Sequence, residues 1–149
     1  MGETTSVTDL ELVGRECLCL QSRMTARAVT RKYNDVLAGH GLSITEFSLL
    51  VSLSARPGLT ATELADLLCF ERTTLVRNLK GMAGKGLLVQ KKELGPAVLS
   101  TVSELGERML TSALPLWQLA QTEVKSKLTL HGPQEILDSV RELRDAALK

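Results

Sequence analysis

The sequence predicts a mainly α fold, a winged helix-turn-helix with long N- and C-terminal dimerisation helices and a short two-stranded wing. Three observations predict it. Between Leu64 and Leu79 an apolar-patterned helix stops, a tight polar corner follows, and a second helix starts with hydroxyls and an arginine on its exposed side. A helix-turn-helix needs this order, because its second helix presents its N-terminal half to the DNA major groove. Next, Gly86-Leu87-Leu88-Val89-Gln90-Lys91-Lys92 reads as a strand entering a basic hairpin, the wing. Finally, the chain is 44% apolar, yet Phe47, Phe70, Tyr33 and Trp117 are its only aromatic residues. Leu and Ala do most of the filling, which favours helices over sheets.

Each element follows from local signals. Residues 1–8 are polar and small, and are expected to fray. From Asp9 to Ala38, Leu12, Leu20, Met24, Ala28 and Val36 recur near helical spacing, so one long helix is expected. Gly39 and Gly41 end it. Ser43 caps a second helix, Ile44 to Ser54, with Glu46 completing a capping box, and Thr60 with Glu63 repeats the box before Leu64 and Leu67. Arg72 or Thr73 opens the recognition helix, which runs to about Ala83 with Gly84 and Gly86 as its stop. Residues 87–92 and 97–102 form two strands around Glu93-Leu94-Gly95-Pro96.

Ser103, with Glu104 and Glu107, starts a long helix in which Pro115 removes an amide donor and should introduce a kink. His131-Gly132-Pro133 then breaks the chain before a last amphipathic helix, Gln134 to about Leu148. The 149 residues are expected to form a single domain, with 43–102 as the winged unit and 9–38 and 104–148 as dimerisation helices. Leu114, Trp117, Ile136, Val140 and Leu143 are expected in the dimer's apolar surface. A two-fold dimer would supply the two half-sites that such readers need about one helical turn apart.

The net charge of +1 excludes a globally basic coat, but the charge is unevenly placed. Arg72, Arg77, Lys80, Lys85, Lys91 and Lys92 fall within one segment that holds no acid, as a localised DNA footprint requires. No apolar run approaches a membrane span, and no signal sequence is evident at the N-terminus. Three cysteines do not form a disulfide framework, so a cytoplasmic protein with reduced thiols is expected. No cluster has metal-ligand spacing, and His40 and His131 read as helix-end residues. No Gly-rich phosphate loop, nucleophile elbow or paired carboxylates point to an enzyme, and no cofactor is implied.

Order and motifs together resemble the MarR family of winged-helix transcriptional regulators over roughly residues 10–149. The likeness lies in Gly41-Leu42-Ser43-Ile44-Thr45-Glu46-Phe47, Pro57-Gly58-Leu59-Thr60, Leu64-Ala65, Thr73-Thr74-Leu75-Val76-Arg77, Lys85-Gly86-Leu87-Leu88-Val89 and Val102-Ser103-Glu104-Leu105-Gly106. The resemblance implies a homodimeric regulator, usually a repressor, bound to a pseudo-palindromic operator in double-stranded DNA and released by a small ligand or by thiol oxidation. One departure stands out. The family wing carries an Asp-x-Arg element whose arginine enters the minor groove. Here Lys92-Glu93-Leu94-Gly95-Pro96-Ala97-Val98 has no such pair and is about three residues short. Lys91 and Lys92 can meet phosphates, but a lysine is a flexible point charge rather than a clamped guanidinium. The alternative is therefore a MarR-like dimer that works through protein contacts with weak or no operator binding.

Thr73, Thr74 and Arg77 share the leading face of the recognition helix. Arg77 can donate two hydrogen bonds to a guanine edge, and the threonines can reach a phosphate or a thymine methyl. The competing reading makes Thr73 an N-cap and Arg77 a solvated charge. Arg72 and Asn78 are further base-contact candidates, and Lys80, Lys91 and Lys92 are phosphate contacts, which position without specifying.

Cys17 and Cys19, two apart on the expected single helix, face different directions. Cys19 followed by Tyr33 is similar to the organic-hydroperoxide-sensing branch of the family, which implies a peroxidatic thiol steadied by the tyrosine across the dimer. Fourteen residues of helix separate the pair by about 21 Å, so the contact would have to be between subunits. Ile44 stands near where that branch has a second tyrosine, and the chain holds no late resolving cysteine. The competing reading makes both thiols small apolar residues. Cys69, in the corner between the reader helices, is expected in the core. The resemblance also implies an effector site for a small aromatic or anionic ligand, with Arg23, Arg27 and Phe47 as candidates; the competing reading makes the arginines solvated or dimer salt bridges.

Overall fold

The computed structural model describes residues 6–92 and 98–149, and in them seven α-helices accompany one antiparallel hairpin. The expected turn Glu93-Leu94-Gly95-Pro96, with Ala97, lies outside the described residues, as do the first five residues of the expected frayed segment. The elements are α1 (Val7–Glu16), α2 (Leu18–Leu37), a 3₁₀ turn (Ala38–His40), α3 (Ile44–Ala55), α4 (Ala61–Leu68) and α5 (Arg72–Gly84). They continue through β1 (Leu88–Lys92), β2 (Val98–Val102), α6 (Glu104–Ser126) and α7 (Pro133–Ala147).

The first difference from expectation is at Cys17. Instead of one helix over 9–38 there are two, because Cys17 takes an extended conformation with ψ of 107°. The groups such a break orphans are satisfied nearby. The Cys17 amide donates to the Val13 carbonyl at 3.0 Å, and the Gln21 side chain donates to the Gly14 carbonyl at 2.9 Å. The Cys17 sulfur accepts from the Leu20 amide at 3.5 Å. Gly14 also lowers helix propensity just before the break.

Capping boxes form at Ser43/Glu46 and Thr60/Glu63, each with reciprocal side-chain and backbone bonds. The α4 stop leaves Cys69 at φ 54°, with the Phe70 amide bonded back to the Ala65 carbonyl at 2.9 Å. Cys69 is exposed, which corrects its expected core role: a left-handed C-terminal position points outward and normally takes glycine. At the end of α5, Gly86 at φ 76° and the bonds Gly86 N to Ala83 O and Leu87 N to Met82 O, both 3.0 Å, make a Schellman stop. The helix α6 continues through Pro115, which removes one ladder bond without ending the helix.

The core sits between α3, α4, α5, the hairpin and the first half of α6, with Leu37, Leu49, Leu50, Leu64, Leu75 and Met82 fully buried. Ala113 and Ala120, both 0% exposed, let α2 approach α6 closely. There the Tyr33 hydroxyl donates to Gln121 and Lys32 pairs with Glu123. Two crosslinks then fix the winged unit on this base. The Asn34 side chain accepts from the Ile44 amide at 2.7 Å. His40 Nε2 lies 3.1 Å from the Met109 carbonyl and 3.0 Å from the Ser112 hydroxyl, so His40 joins the 3₁₀ turn to α6 and does more than end a helix. By contrast α1 and α7 bury no residue, and Val140 on α7 is 57% exposed.

Candidate nucleic-acid interface

Burial decides which face of α5 is available. Leu75, Leu79 and Met82 point into the core, and Thr74 and Asn78 are half-buried on its flank. Arg72, Thr73, Val76, Arg77 and Lys80 form the exposed stripe. Of the candidate base-contact residues, the structure therefore groups Arg72, Thr73 and Arg77 on one open face and sets Thr74 and Asn78 to its side. Val76 was missed by the sequence reading because a valine in a helix is ordinarily assigned to the core. Its spacing from Thr73 and Lys80 was the available signal.

The helix α5 starts at Arg72, one of the two expected openings, but its cap is not the threonine of the competing reading. Glu71 is the N-cap, not Thr73: its carboxylate accepts from the Thr73 amide at 3.0 Å, from the Thr74 amide at 2.8 Å, and from the Thr73 hydroxyl. The hydroxyl bond, followed by the two amides, holds the Glu71 carboxyl down to about 2, so it is charged throughout the neutral range. The competing reading puts Thr73 at the cap because hydroxyls are favoured there. Glutamate caps from two residues earlier because its longer side chain folds back over the first turn.

The other end of α5 is anchored. Lys85 Nζ lies 2.6 Å from Glu46 Oε1, joining the stop of α5 to the capping box of α3. Burial pushes Glu46 up, but hydrogen bonds from Lys85 and Ser43 outweigh it and leave the carboxyl below its ordinary range. Lys85 is thus exposed but paired within the protein, whereas Lys80, Lys91 and Lys92 are exposed and form no ion pair among the described residues. The hairpin pairs Leu88 with Val102 through Lys92 with Val98, and a bridge from Thr60 to Leu99 ties it to the start of α4. Lys91 and Lys92 therefore lie on a strand paired along its length with β2, which the bridge in turn ties to α4.

The remaining candidates are scattered. Phe47 is 4% exposed and stacks on Trp117 with ring centroids 6.3 Å apart and planes at 15°. Both rings belong to the chain's own core, which takes Phe47 out of an open effector lining and much of Trp117 out of the expected dimer surface. Arg23 and Arg27 are exposed and form no ion pair among the described residues. The polar contact of α2 with α3, at Asn34, is about 16 Å along the helix from Arg23. Cys19 is exposed; Tyr33 is buried with its hydroxyl turned to Gln121, and burial raises its pKa. Cys17 lies at the helix break and Cys19 in the first turn of α2, so the two thiols are not set apart by the geometry of one continuous helix.

A helix-turn-helix followed by a basic hairpin, with Arg72, Arg77 and Lys80 in no ion pair among the described residues, defines a winged-helix DNA-binding protein. The comparisons with known proteins sharpen that class. The sequence profile of the MarR family matches residues 40–97. The transcriptional regulator MosR of M. tuberculosis is 32% identical over 90% of this chain and 97% of its own, with a TM-score of 0.81. Its complex with DNA is matched equally well, at 32% identity over 89% and 96% of the two chains and a TM-score of 0.81. The organohalide-sensing regulator RdhR-CbdbA1625 in its 2,4-dichlorophenol-bound form shares the fold, with 21% identity, 99% and 88% coverage and a TM-score of 0.80. No protein of curated function matches the sequence. The chain belongs to the MarR family of DNA-binding transcriptional regulators. Among the described residues, no single helix is long and apolar enough to cross a membrane.

Proposed function

We propose that this regulator is a homodimeric repressor that reads a two-half-site operator with α5. The observation that carries this reading is the exposed stripe Arg72, Thr73, Val76, Arg77 and Lys80, which holds three cations, is backed by buried leucines, and has the Glu71 cap at its leading end. Arg77 contacts a guanine edge, with Arg72 and Thr73 beside it and Thr74 and Asn78 at the flank; Lys80, Lys91 and Lys92 hold phosphates. The MosR complex with DNA supports the use of this fold for operator binding.

The dimer is formed by α1, α2 and α7 with the outer half of α6. Val13, Leu18, Met24, Leu119 and Val140 are exposed there, and a second copy would take them out of water. Release follows binding of a small anionic or aromatic effector, or oxidation of a thiol near the α1–α2 break. The dichlorophenol-bound relative supports the first route, and the exposed Cys19 next to a sulfur-capped break supports the second. The effector would reach Arg23 and Arg27 from solvent, with Phe47 behind the site as packing.

A gel shift with the DNA upstream of the chain's own coding sequence tests the proposal. Arg77→Ala is expected to lose about 1–3 kcal/mol of specific affinity and to relax base preference, whereas Lys91→Ala weakens all sequences alike and reduces the salt slope by about 1. Wild-type binding to no DNA, specific or otherwise, would replace this reading with that of a dimer acting through protein contacts.

A further inference from the structure

The chemistry at the leading end of α5 is unusual for a surface meant to meet DNA. A helix N-terminus is an anion site, and a DNA phosphate would ordinarily be favoured there. In this protein a carboxylate already occupies it. Both Glu71 oxygens are engaged, one by the Thr73 amide and the other by the Thr74 amide and the Thr73 hydroxyl. A threonine hydroxyl has one hydrogen and two lone pairs. Since that hydrogen points to Glu71, exposed Thr73 has only acceptor capacity and a methyl group left for solvent or DNA.

We propose that Glu71 sets base specificity by making this end of α5 an acceptor-only reader, so that Thr73 takes a hydrogen bond from the exocyclic amine of adenine or cytosine. Thr73 then neither donates to a phosphate nor reads the keto oxygens of guanine and thymine. In the major groove only adenine and cytosine present such an amine donor. The inference rests on the reading of α5 as the major-groove helix. Glu71 acts through Thr73 and is a positioning residue; Thr73 makes the contact.

The test is selection from a randomised duplex DNA library with wild type, Glu71→Ser, Thr73→Val and Arg77→Ala, each checked for folding by circular dichroism. Serine keeps an N-cap for the Thr74 amide but frees the Thr73 hydroxyl, and valine keeps shape without oxygen. Wild type is expected to require adenine or cytosine at one position of each half-site. Replacing that base by purine or 2-pyrimidinone, which lack the amine, should weaken wild type about three- to tenfold, the worth of one hydrogen bond, and leave Thr73→Val unchanged. Glu71→Ser should admit guanine or thymine there and bind DNA in general more tightly, because a charge facing the phosphates is gone. Loss of a mere helix cap would instead weaken binding at every sequence. If Thr73→Val and Glu71→Ser select the wild-type bases while Arg77→Ala relaxes its own position, the inference is overturned and the reading of α5 survives. If wild type enriches no sequence, or Arg77→Ala enriches the wild-type motif, the reading of α5 falls and this inference with it.

Discussion

Gly106, in the first turn of α6, is where the wing meets the long helix, and Gly106→Ala measures that contact. A Cβ there would lie 2.2 Å from the Leu87 carbonyl oxygen, 2.8 Å from Val102 Cγ1 and 3.2 Å from the Leu87 carbonyl carbon. An ordinary carbon–oxygen approach is about 3.3 Å, so backbone must move by roughly 1 Å. No flexible side chain can absorb this, because the nearest atom is main chain. The Leu87 carbonyl also accepts from the Ser103 amide at 3.0 Å, and the Ser103 hydroxyl donates to the Gly86 carbonyl at 2.6 Å. Overpacking costs about 1–3 kcal/mol, and the threatened hydrogen bond about 1 more. Alanine's better helix propensity returns about 1 kcal/mol, and the backbone clash places the net at about 2–3 kcal/mol. For a domain of this size that lowers the melting temperature by about 4–12 °C. Thermal unfolding followed by circular dichroism, with both proteins at equal concentration to remove any effect of assembly, gives the number. A variant that melts at or above wild type would refute the close approach of α6 to the wing.

Gly81, mid-helix in α5 with nothing within 4 Å of a built Cβ, makes the opposite case: Gly81→Ala should stabilise by about 0.5–1 kcal/mol in the same melts. Cys69→Gly should also stabilise, by about 1 kcal/mol in urea unfolding, since it relieves a left-handed conformation at φ 54°. Glu46 has a folded pKa below its ordinary 4.5, so its contribution is present above that value and lost as pH falls through the folded pKa; Lys85→Met should narrow the pH 7 to pH 3 stability difference, and an unchanged acid profile would dismiss the ion pair. Sedimentation should show a dimer at micromolar concentration, and a folded, stable monomer would remove the role given to α1 and α7. Cys19→Ser should keep DNA binding but fail to release it with an organic hydroperoxide, while wild type that holds DNA through such treatment leaves the small effector as the trigger.

The sequence by itself determined every element whose signals are local. Ser43 with Glu46, Thr60 with Glu63, and Gly86 each act on backbone groups within four residues, and those groups must be satisfied wherever the rest of the chain lies. The helix-turn-helix, the hairpin and the cationic stripe were legible for that reason. At the start of α5 the signal was ambiguous, because Glu71 and Thr73 can both cap and only the folded geometry shows which carboxylate and which hydroxyl meet. The α1–α2 break was hidden by an apolar period that runs unbroken across Cys17. Tertiary structure alone decided the pairings between distant segments: Phe47 on Trp117, Tyr33 with Gln121, His40 against Ser112. These contacts moved Phe47 into the core and turned Tyr33 inward. Local pattern could not foresee them, because packing density is satisfied by whichever side chain the whole fold brings opposite, and a residue's own neighbours in the chain say nothing about that.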